Sequence, residues 1–584
     1  MTKPKWPERF TIRALRDLYA DGAATPEDVI EEIVRRAERD RTMNIWITPP
    51  SVERAAPYLE RLRNVKPNEL PLWGVPFAIK DNIDWEGAPT TAGCPDFAYE
   101  PAANAAIVQR LIDAGAVPIG KANLDQFATG LVGTRSPYGE THNALKPELI
   151  SGGSSSGSAV AVARGHCAFA LGTDTAGSGR VPAALNRLYG FKSSLGAWPT
   201  KGVVPACASL DCVTVFTDAL EDLYAVDRVA RGVDATDPWS RQHAPLSARA
   251  PRKLLLPGGP LTFYGPYAAE YEAAWRRETE QLKRLGLPIE TVDTSLFTEA
   301  AEILYDGPWV AERWADLGAF VEAHPGSVFP VTEQVLRSGA KAEYDAASVF
   351  RAMHKLQRFK KEARALLADA VLVMPTAGGT WTREQAREDP IRTNSAMGLY
   401  TNHCNLLDLC ALAAPTGDAA PGVPFGVTFF ALAENEDLAC GAGEAFARRT
   451  ERAERPGVAT TLVAVCGLHM RGYPLEKQML EHGASFVREA KTAAKYRMVK
   501  LPTAPAKPGL IKSGEGGRAI RLELWEMPLD AFGFFAAAIP APLGIGKVEL
   551  EDGSEVPGFV CEAYSAAGAE DVTEAGGWRY VNLA

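Results

Sequence analysis

Between Ile150 and Pro182 the chain reads ISGGSSSGSAVAVARGHCAFALGTDTAGSGRVP. Two Gly/Ser-rich turns, Ser151 to Ser158 and Thr175 to Arg180, are joined by an apolar segment. Its pattern predicts a short helix over Ala159 to Ala163 and a buried strand over Ala168 to Leu171. Any fold that accommodates the stretch must therefore hold two serine loops on one rigid element. Glycine lets the main chain approach a ligand closely and turn N–H groups toward it, so each loop can present a hydroxyl beside a nest of amide donors. A nucleophile with an oxyanion hole needs that combination.

The flanking chain alternates strands and helices. Pro71 to Ile79 reads as a buried strand that stops at Lys80-Asp81-Asn82, which puts a lysine where an apolar run meets a polar turn; snorkelling to the surface is the plain reading of such a lysine. Helical spacing covers Phe10 to Tyr19 and Pro26 to Arg39, the second with Thr25 as N-cap and Pro26 at its first position. Ile45 to Thr48 and Val117 to Ile119 read as strands, Ser51 to Leu62 and Asn104 to Gly115 as helices, and Phe191 to Pro205 as surface loop. Farther on, strands are predicted over Lys253 to Leu256, Val371 to Pro375 and Val423 to Phe430. Helices are predicted over Ala268 to Leu285, Thr298 to Val321, Ala346 to Leu367 and Glu436 to Arg452. This βαβ rhythm implies an α/β domain with a large mixed sheet flanked by helices on both faces.

A chain of 584 residues is too long for one ordinary core. The charged run from Thr450 is broken by Pro456-Gly457, marking a helix end and a boundary. The expected organisation is a catalytic domain over residues 1–457 and a smaller α+β domain over 458–584. The second opens with a strand over Thr461 to Val465 and continues in short strands and hairpin turns such as Glu551-Asp552-Gly553.

The 62 basic and 72 acidic residues leave a formal charge of −10, which argues against nucleic acid or an anionic membrane as partner. No secretory signal opens the chain, and the longest apolar stretch, Phe532 to Ile545, is short and interrupted by two prolines; a soluble cytoplasmic protein is expected. Nine scattered cysteines without a CxxC pair suit reduced core thiols, not a disulfide framework or zinc site.

Three chemistries compete for the serine loops. Gly153-Ser154-Ser155-Ser156-Gly157 formally matches the nucleophile elbow G-x-S-x-G with Ser155 as nucleophile, but none of His243, His324, His354 or His403 sits in an obvious catalytic loop. A phosphate-binding loop lacks the Gly-Lys-Ser/Thr ending. The third uses Lys80 with both loops. Val75-Pro-Phe-Ala-Ile-Lys-Asp-Asn82, Gly152-Gly-Ser-Ser-Ser-Gly157 and Gly172-Thr-Asp-Thr-Ala-Gly-Ser-Gly-Arg180 together resemble the amidase signature family, with Ser154 and Ser178 at the family's separation of 24 residues. The resemblance spans roughly residues 10–455. Its closing block, Gly190-Phe-Lys-Ser-Ser194, departs from the usual Gly-x-Lys-Pro-Thr.

The resemblance implies the amidase signature fold, with Ser178 as nucleophile, Ser154 as bridging serine on a cis Gly153–Ser154 peptide, and Lys80 as base. The N–H groups of Thr175, Ala176, Gly177 and Ser178 would form the oxyanion hole. The chemistry is coherent: a desolvated lysine can be neutral and accept the serine's proton, and Ser154 can relay it back to the departing amine. No cofactor or metal is implied.

Within the family, Asp174-Thr-Ala-Gly-Ser-Gly-Arg180 is similar to the allophanate hydrolase branch, which also carries an added C-terminal domain. That similarity implies a small anionic substrate, allophanate, supplied by a separate enzyme in urea or s-triazine nitrogen catabolism, and Tyr305 and Arg313 as its carboxylate site. Arginine's planar fork suits a carboxylate; pairing of Arg313 with Glu312 or Asp316 on an ordinary surface helix is the plain alternative. The C-terminal part is similar to the γ-glutamylcyclotransferase fold. There the resemblance makes His469 a candidate for decarboxylating the product, N-carboxycarbamate, with Arg471 holding the anion; the alternative is that this domain only assembles a homodimer, the expected oligomer. Another small-substrate amidase, or an amidotransferase subunit working with tRNA and partner subunits, stays open as an alternative.

Overall fold

The computed structural model describes residues 5–305, 307–454 and 460–581. The chain divides into two compact units, Met1–Thr450 and Glu451–Ala584. The boundary expected between residues 457 and 458 falls outside the described residues.

The first unit is built on an eleven-stranded mixed sheet. Its strands are β1 (Trp46–Thr48), β2 (Pro76–Lys80), β3 (Val117–Ala122), β4 (Phe169–Asp174), β5 (Tyr189–Lys192), β6 (Cys212–Thr217), β7 (Lys253–Pro257), β8 (Ile289–Val292), β9 (Ala370–Pro375), β10 (Leu409–Ala420) and β11 (Val423–Leu432). They lie in the order β1-β3-β2-β4-β6-β5-β10-β11-β9-β7-β8. Both faces are covered, as the alternation along β9 shows: Val371 and Val373 join the core on one face, Ala370, Leu372 and Met374 the core on the other. Capping explains the helix starts. Thr25 accepts from Asp28 N–H while the Asp28 carboxylate accepts from Thr25 N–H, which sets the first turn of the helix Pro26–Arg39.

Register places the chemistry. β2 runs parallel to β4 with Ile79 opposite Leu171, and parallel to β3 with Lys80 opposite Ala122. The C-terminal ends of β2 and β4 are thereby adjacent, and Lys80 emerges beside the residues that follow Leu171.

Two expectations need correction. Phe191 to Pro205 is not a surface loop from its start: β5 pairs with both β6 and β10, and Lys192 is fully buried with its ammonium donating to Leu409 O at 2.7 Å. The apolar Tyr-Gly-Phe run is short enough to pass for loop in a Gly-containing segment. The single helix expected over Thr298 to Val321 is two, Ser295–Tyr305 and Val310–Ala323. Gly307-Pro308 lies between them, and a proline inside a helix removes a donor and clashes with the preceding turn.

The second unit has a five-stranded sheet in the order β13-β16-β12-β18-β17 and a three-stranded sheet in the order β15-β14-β19. These strands are β12 (Thr460–Val465), β13 (Ser485–Lys491), β14 (Tyr496–Leu501), β15 (Lys507–Lys512), β16 (Arg521–Pro528), β17 (Leu543–Glu549), β18 (Glu555–Cys561) and β19 (Glu570–Asp571). Its core gathers Val463, Val465, Leu524, Trp525 and Trp578. The expected turn at Glu551–Gly553 joins the antiparallel pair β17 and β18. All nine cysteines are free and buried. Among the described residues no helix is long and apolar enough to cross a membrane.

Candidate active site

Lys80 does not snorkel. It is completely buried, and its Nζ donates to Ser154 Oγ at 2.8 Å and to Thr173 Oγ1 at 2.7 Å. Burial pushes its amine down to about 7, against the attraction of Asp125, Asp211 and Asp174 and helped by the nearby Arg313 charge. A lysine in that state exchanges a proton with a hydroxyl at neutral pH.

Ser154 stands at the turn before the helix Ser156–Ala163, and the Gly153–Ser154 peptide is cis. Its carbonyl accepts from Asp125 N–H at 3.0 Å, and the Asp125 carboxylate accepts from the N–H groups of Gly133 and Arg135 at 3.0 and 2.9 Å. Gly153 has no room for a side chain, because a Cβ there would lie 2.0 Å from Asp125 Oδ2. Ser155, the choice of the short elbow motif, is tied to the strand instead: its hydroxyl donates to Thr173 O at 3.2 Å and accepts from Thr173 N–H at 3.3 Å.

The loop bearing Ser178 is braced by its own neighbours. Asp174, at the end of β4, accepts from Gly177 N–H, Gly179 N–H, Arg180 Nε and Arg180 Nη2, all within 2.9–3.0 Å. Both partners of this ion pair are fully buried; burial alone would raise the carboxyl, but the guanidinium holds it below the ordinary value. Asn405 anchors the same turn by donating to Asp174 O and Leu210 O, each at 2.8 Å. Thr175 donates its hydroxyl to buried Asp211, which also accepts from Ala206 N–H at 2.8 Å and whose carboxyl is raised by burial to about 6. Gly177 takes a φ of +141°, and a Cβ there would meet Thr401 Oγ1 at 2.3 Å.

This bracing divides the expected oxyanion donors. The Gly177 N–H is already committed to Asp174, whereas those of Thr175, Ala176 and Ser178 donate to no acceptor among the described residues. Gly177 is thus placed as the brace of the turn, and the other three N–H groups stay available for a developing oxyanion. Ser178 is 4% exposed, the one site serine that solvent still reaches.

Tyr305 ends one helix and Arg313 stands in the first turn of the next, and the break brings them together: Arg313 Nη2 donates to Tyr305 Oη at 3.0 Å, with the guanidinium over the ring at 5.4 Å. Arg313 Nη1 donates to Thr129 Oγ1 at 2.9 Å, and its Nε has no partner among the described residues. The guanidinium is buried, and no ion pair joins it to a carboxylate among the described residues. Glu312 is engaged elsewhere, accepting from Ser209 N–H at 2.8 Å and Ser209 Oγ at 2.6 Å.

In the second unit His469 is packed flat against Phe559 and edge-on to Phe535, with Nε2 3.0 Å from Gln478 Oε1; burial lowers its imidazole. Arg471 is not a free anion site. Its guanidinium contacts Glu523 at 3.3 Å and Glu489 at 3.2 Å, so two carboxylates already meet its charge. Thr173, which orients Lys80, was missed by motif reasoning although it stands inside the Gly172-Thr-Asp block; Asp211, Asn405 and Thr401 come from remote segments without a motif of their own.

Residues 28–440 match the amidase family model, and residues 461–582 match the model of the allophanate hydrolase C-terminal domain. Urea amidolyase of Saccharomyces cerevisiae is 39% identical over 571 residues, covering 92% of this chain and 31% of its own length. The chain thus spans about a third of that relative. One component of the glutamyl-tRNA(Gln) amidotransferase of Deinococcus deserti is 33% identical over 461 residues, covering 74% of this chain and 94% of its own. The crystal structure of Kluyveromyces lactis allophanate hydrolase superposes with a TM-score of 0.73 at 36% identity, covering 99% of both chains.

Proposed function

We propose that this chain, which belongs to the amidase family, is an amidohydrolase acting on allophanate, whose terminal amide it hydrolyses to ammonia and N-carboxycarbamate. The observation that carries the reading is Arg313: a buried guanidinium whose hydrogen bonds, among the described residues, go to two hydroxyls. A buried cation lacking a carboxylate is costly unless an anion arrives to complete it. A ureide with a free carboxylate supplies that anion and presents its amide carbonyl to Ser178.

In the proposed mechanism Ser178 Oγ attacks the terminal carbonyl while its proton passes to Ser154, whose own proton moves to neutral Lys80. The carbonyl oxygen becomes an oxyanion held by the N–H groups of Thr175, Ala176 and Ser178. Collapse breaks the C–N bond, the relay runs backward to protonate the leaving nitrogen, and ammonia departs. Water then attacks the acyl-enzyme through the same relay and releases N-carboxycarbamate. His469 is the proposed site of the decarboxylation that follows. Its test is dicarboxylate accumulation in His469→Ala; equal carbon dioxide yield from that variant and the wild type removes the assignment.

An amidotransferase subunit is the second reading, supported by the relative from Deinococcus deserti over the first unit. Purified protein, given allophanate with neither ATP nor partner subunits, separates the two: catalytic ammonia release supports hydrolysis of the free ureide, and its absence favours transfer.

A further inference from the structure

Arg313 is not the only buried guanidinium without an ion pair in this region. Arg135 is 2% exposed and donates from Nη1 to Thr129 O at 3.1 Å and from Nη2 to Pro390 O at 2.7 Å, while its Nε has no partner among the described residues. Among the described residues no carboxylate makes an ion pair with it; Asp125, whose negative charge acts on it, has its oxygens on the Gly133 and Arg135 N–H groups. Both guanidiniums grip the same residue, Arg135 on the Thr129 carbonyl and Arg313 on the Thr129 hydroxyl. Two like charges are therefore held side by side away from water, where their repulsion is strongest.

Beside them lies a cavity of about 370 Å3 bordered by Arg135, Tyr305, Asn394, Asn402, Ser395 and Glu302. Tyr305 is the wall it shares with the Arg313 site. Glu302 and Ser395 are exposed, so the cavity opens to solvent on that side, whereas Asn402 Oδ1 is buried and unpartnered within it. Of the two guanidiniums, Arg135 borders this cavity, whereas Arg313 adjoins it through its hydrogen bond to Tyr305. The space exceeds what a ureide as small as allophanate fills, which suits a hydrated ion in passage more than a tight second site.

We propose that this cavity is an antechamber for small carboxylates, in which Arg135 draws the anionic substrate from solvent and hands it past Tyr305 to Arg313. The inference rests on the allophanate reading above and adds an access route and a second cation to it. The mouth residues provide a test that leaves the core intact. Ser395→Asp is expected to lower kcat/KM for allophanate about 3- to 10-fold at low salt, while Ser395→Lys and Glu302→Gln raise it. kcat should change less than about twofold, and the differences should shrink as NaCl is raised from about 20 to about 500 mM. Arg135→Gln should lower kcat/KM about tenfold or more and flatten its salt dependence, while the affinity for biuret, which carries a carboxamide in place of the carboxylate, is unchanged. Mouth variants that all match the wild type at the low salt concentration overturn the antechamber, as does an Arg135→Gln variant that weakens biuret and allophanate equally. A wild-type protein inert toward allophanate overturns the underlying reading, and the antechamber with it.

Discussion

The rate across neutral pH would report directly on Lys80 as the proposed base. Burial moves this amine from the ordinary lysine value of 10.5 down to about 7, a displacement worth about 5 kcal/mol at 1.36 kcal/mol per tenfold step. At pH 7 roughly half of the Lys80 amines are neutral, against about one in 3,000 for an ordinary lysine. Because only the neutral amine accepts the serine proton, kcat/KM for allophanate should rise about tenfold per pH unit from pH 5 to about 7 and then level. The assay is initial ammonia release from freshly prepared substrate in buffers of constant ionic strength. Lys80→Met keeps an apolar side chain and removes the amine, and should lose about 1,000-fold or more of the activity. Stability carries the same signature. The folded value lies below the unfolded one, so between about pH 7 and 10.5 the unfolded chain binds more protons and stability rises with pH; Lys80→Met should flatten that rise. A rate that keeps climbing tenfold per unit to pH 10, or that is flat from pH 5 to 8, would refute the argument, as would an active Lys80→Met.

Four further outcomes follow from particular contacts. Thr173→Val removes a partner of Lys80 Nζ, a hydrogen bond to a charged group worth about 1.5–3 kcal/mol, and should lower kcat roughly 10- to 150-fold with Thr173→Ser restoring most of it. Arg313→Gln should raise KM for allophanate by a similar factor and leave the affinity for biuret nearly unchanged; equal losses for both would sink the carboxylate assignment. Asp174→Asn leaves Arg180 buried without its charge partner and should destabilise the first unit by about 3–5 kcal/mol, read by chemical denaturation. Gly153→Ala forces a methyl onto the Asp125 carboxylate and should yield protein without activity; a fully active variant would show that the Ser154 turn is not as tightly placed as described.

The serine loops and Lys80 were legible in the sequence because the chemistry sits in contiguous blocks whose glycines and hydroxyls have few other uses. The unequal roles proposed for Ser154 and Ser155 rested on family resemblance alone, and the structure separates the two by their hydrogen bonds, Ser154 to Lys80 and Ser155 to the Thr173 backbone. The helix expected over Thr298 to Val321 failed at Gly307-Pro308, where apolar periodicity outweighed a local breaker signal; that break brings Tyr305 into contact with Arg313. Strand β10 passed unnoticed because Leu409–Ala420 is rich in alanine and carries a proline, a weak strand pattern that gains its pairing from β5 and β11. Thr173 faces Lys80 through the register of β2 and β4, and Asp211 and Asn405 reach the loop bearing Ser178 from distant segments. Such contacts follow from strand order, which local patterning does not encode.

The central claim is that Ser178 and Lys80 hydrolyse an anionic ureide without help from another protein. Its most direct measurement is ammonia release from allophanate by the purified chain, with no ATP and no partner, beside the Ser178→Ala variant. The account predicts catalytic turnover by the wild type and none above background from the variant. A wild type that releases no ammonia, or a Ser178→Ala variant that keeps pace with it, would contradict the account.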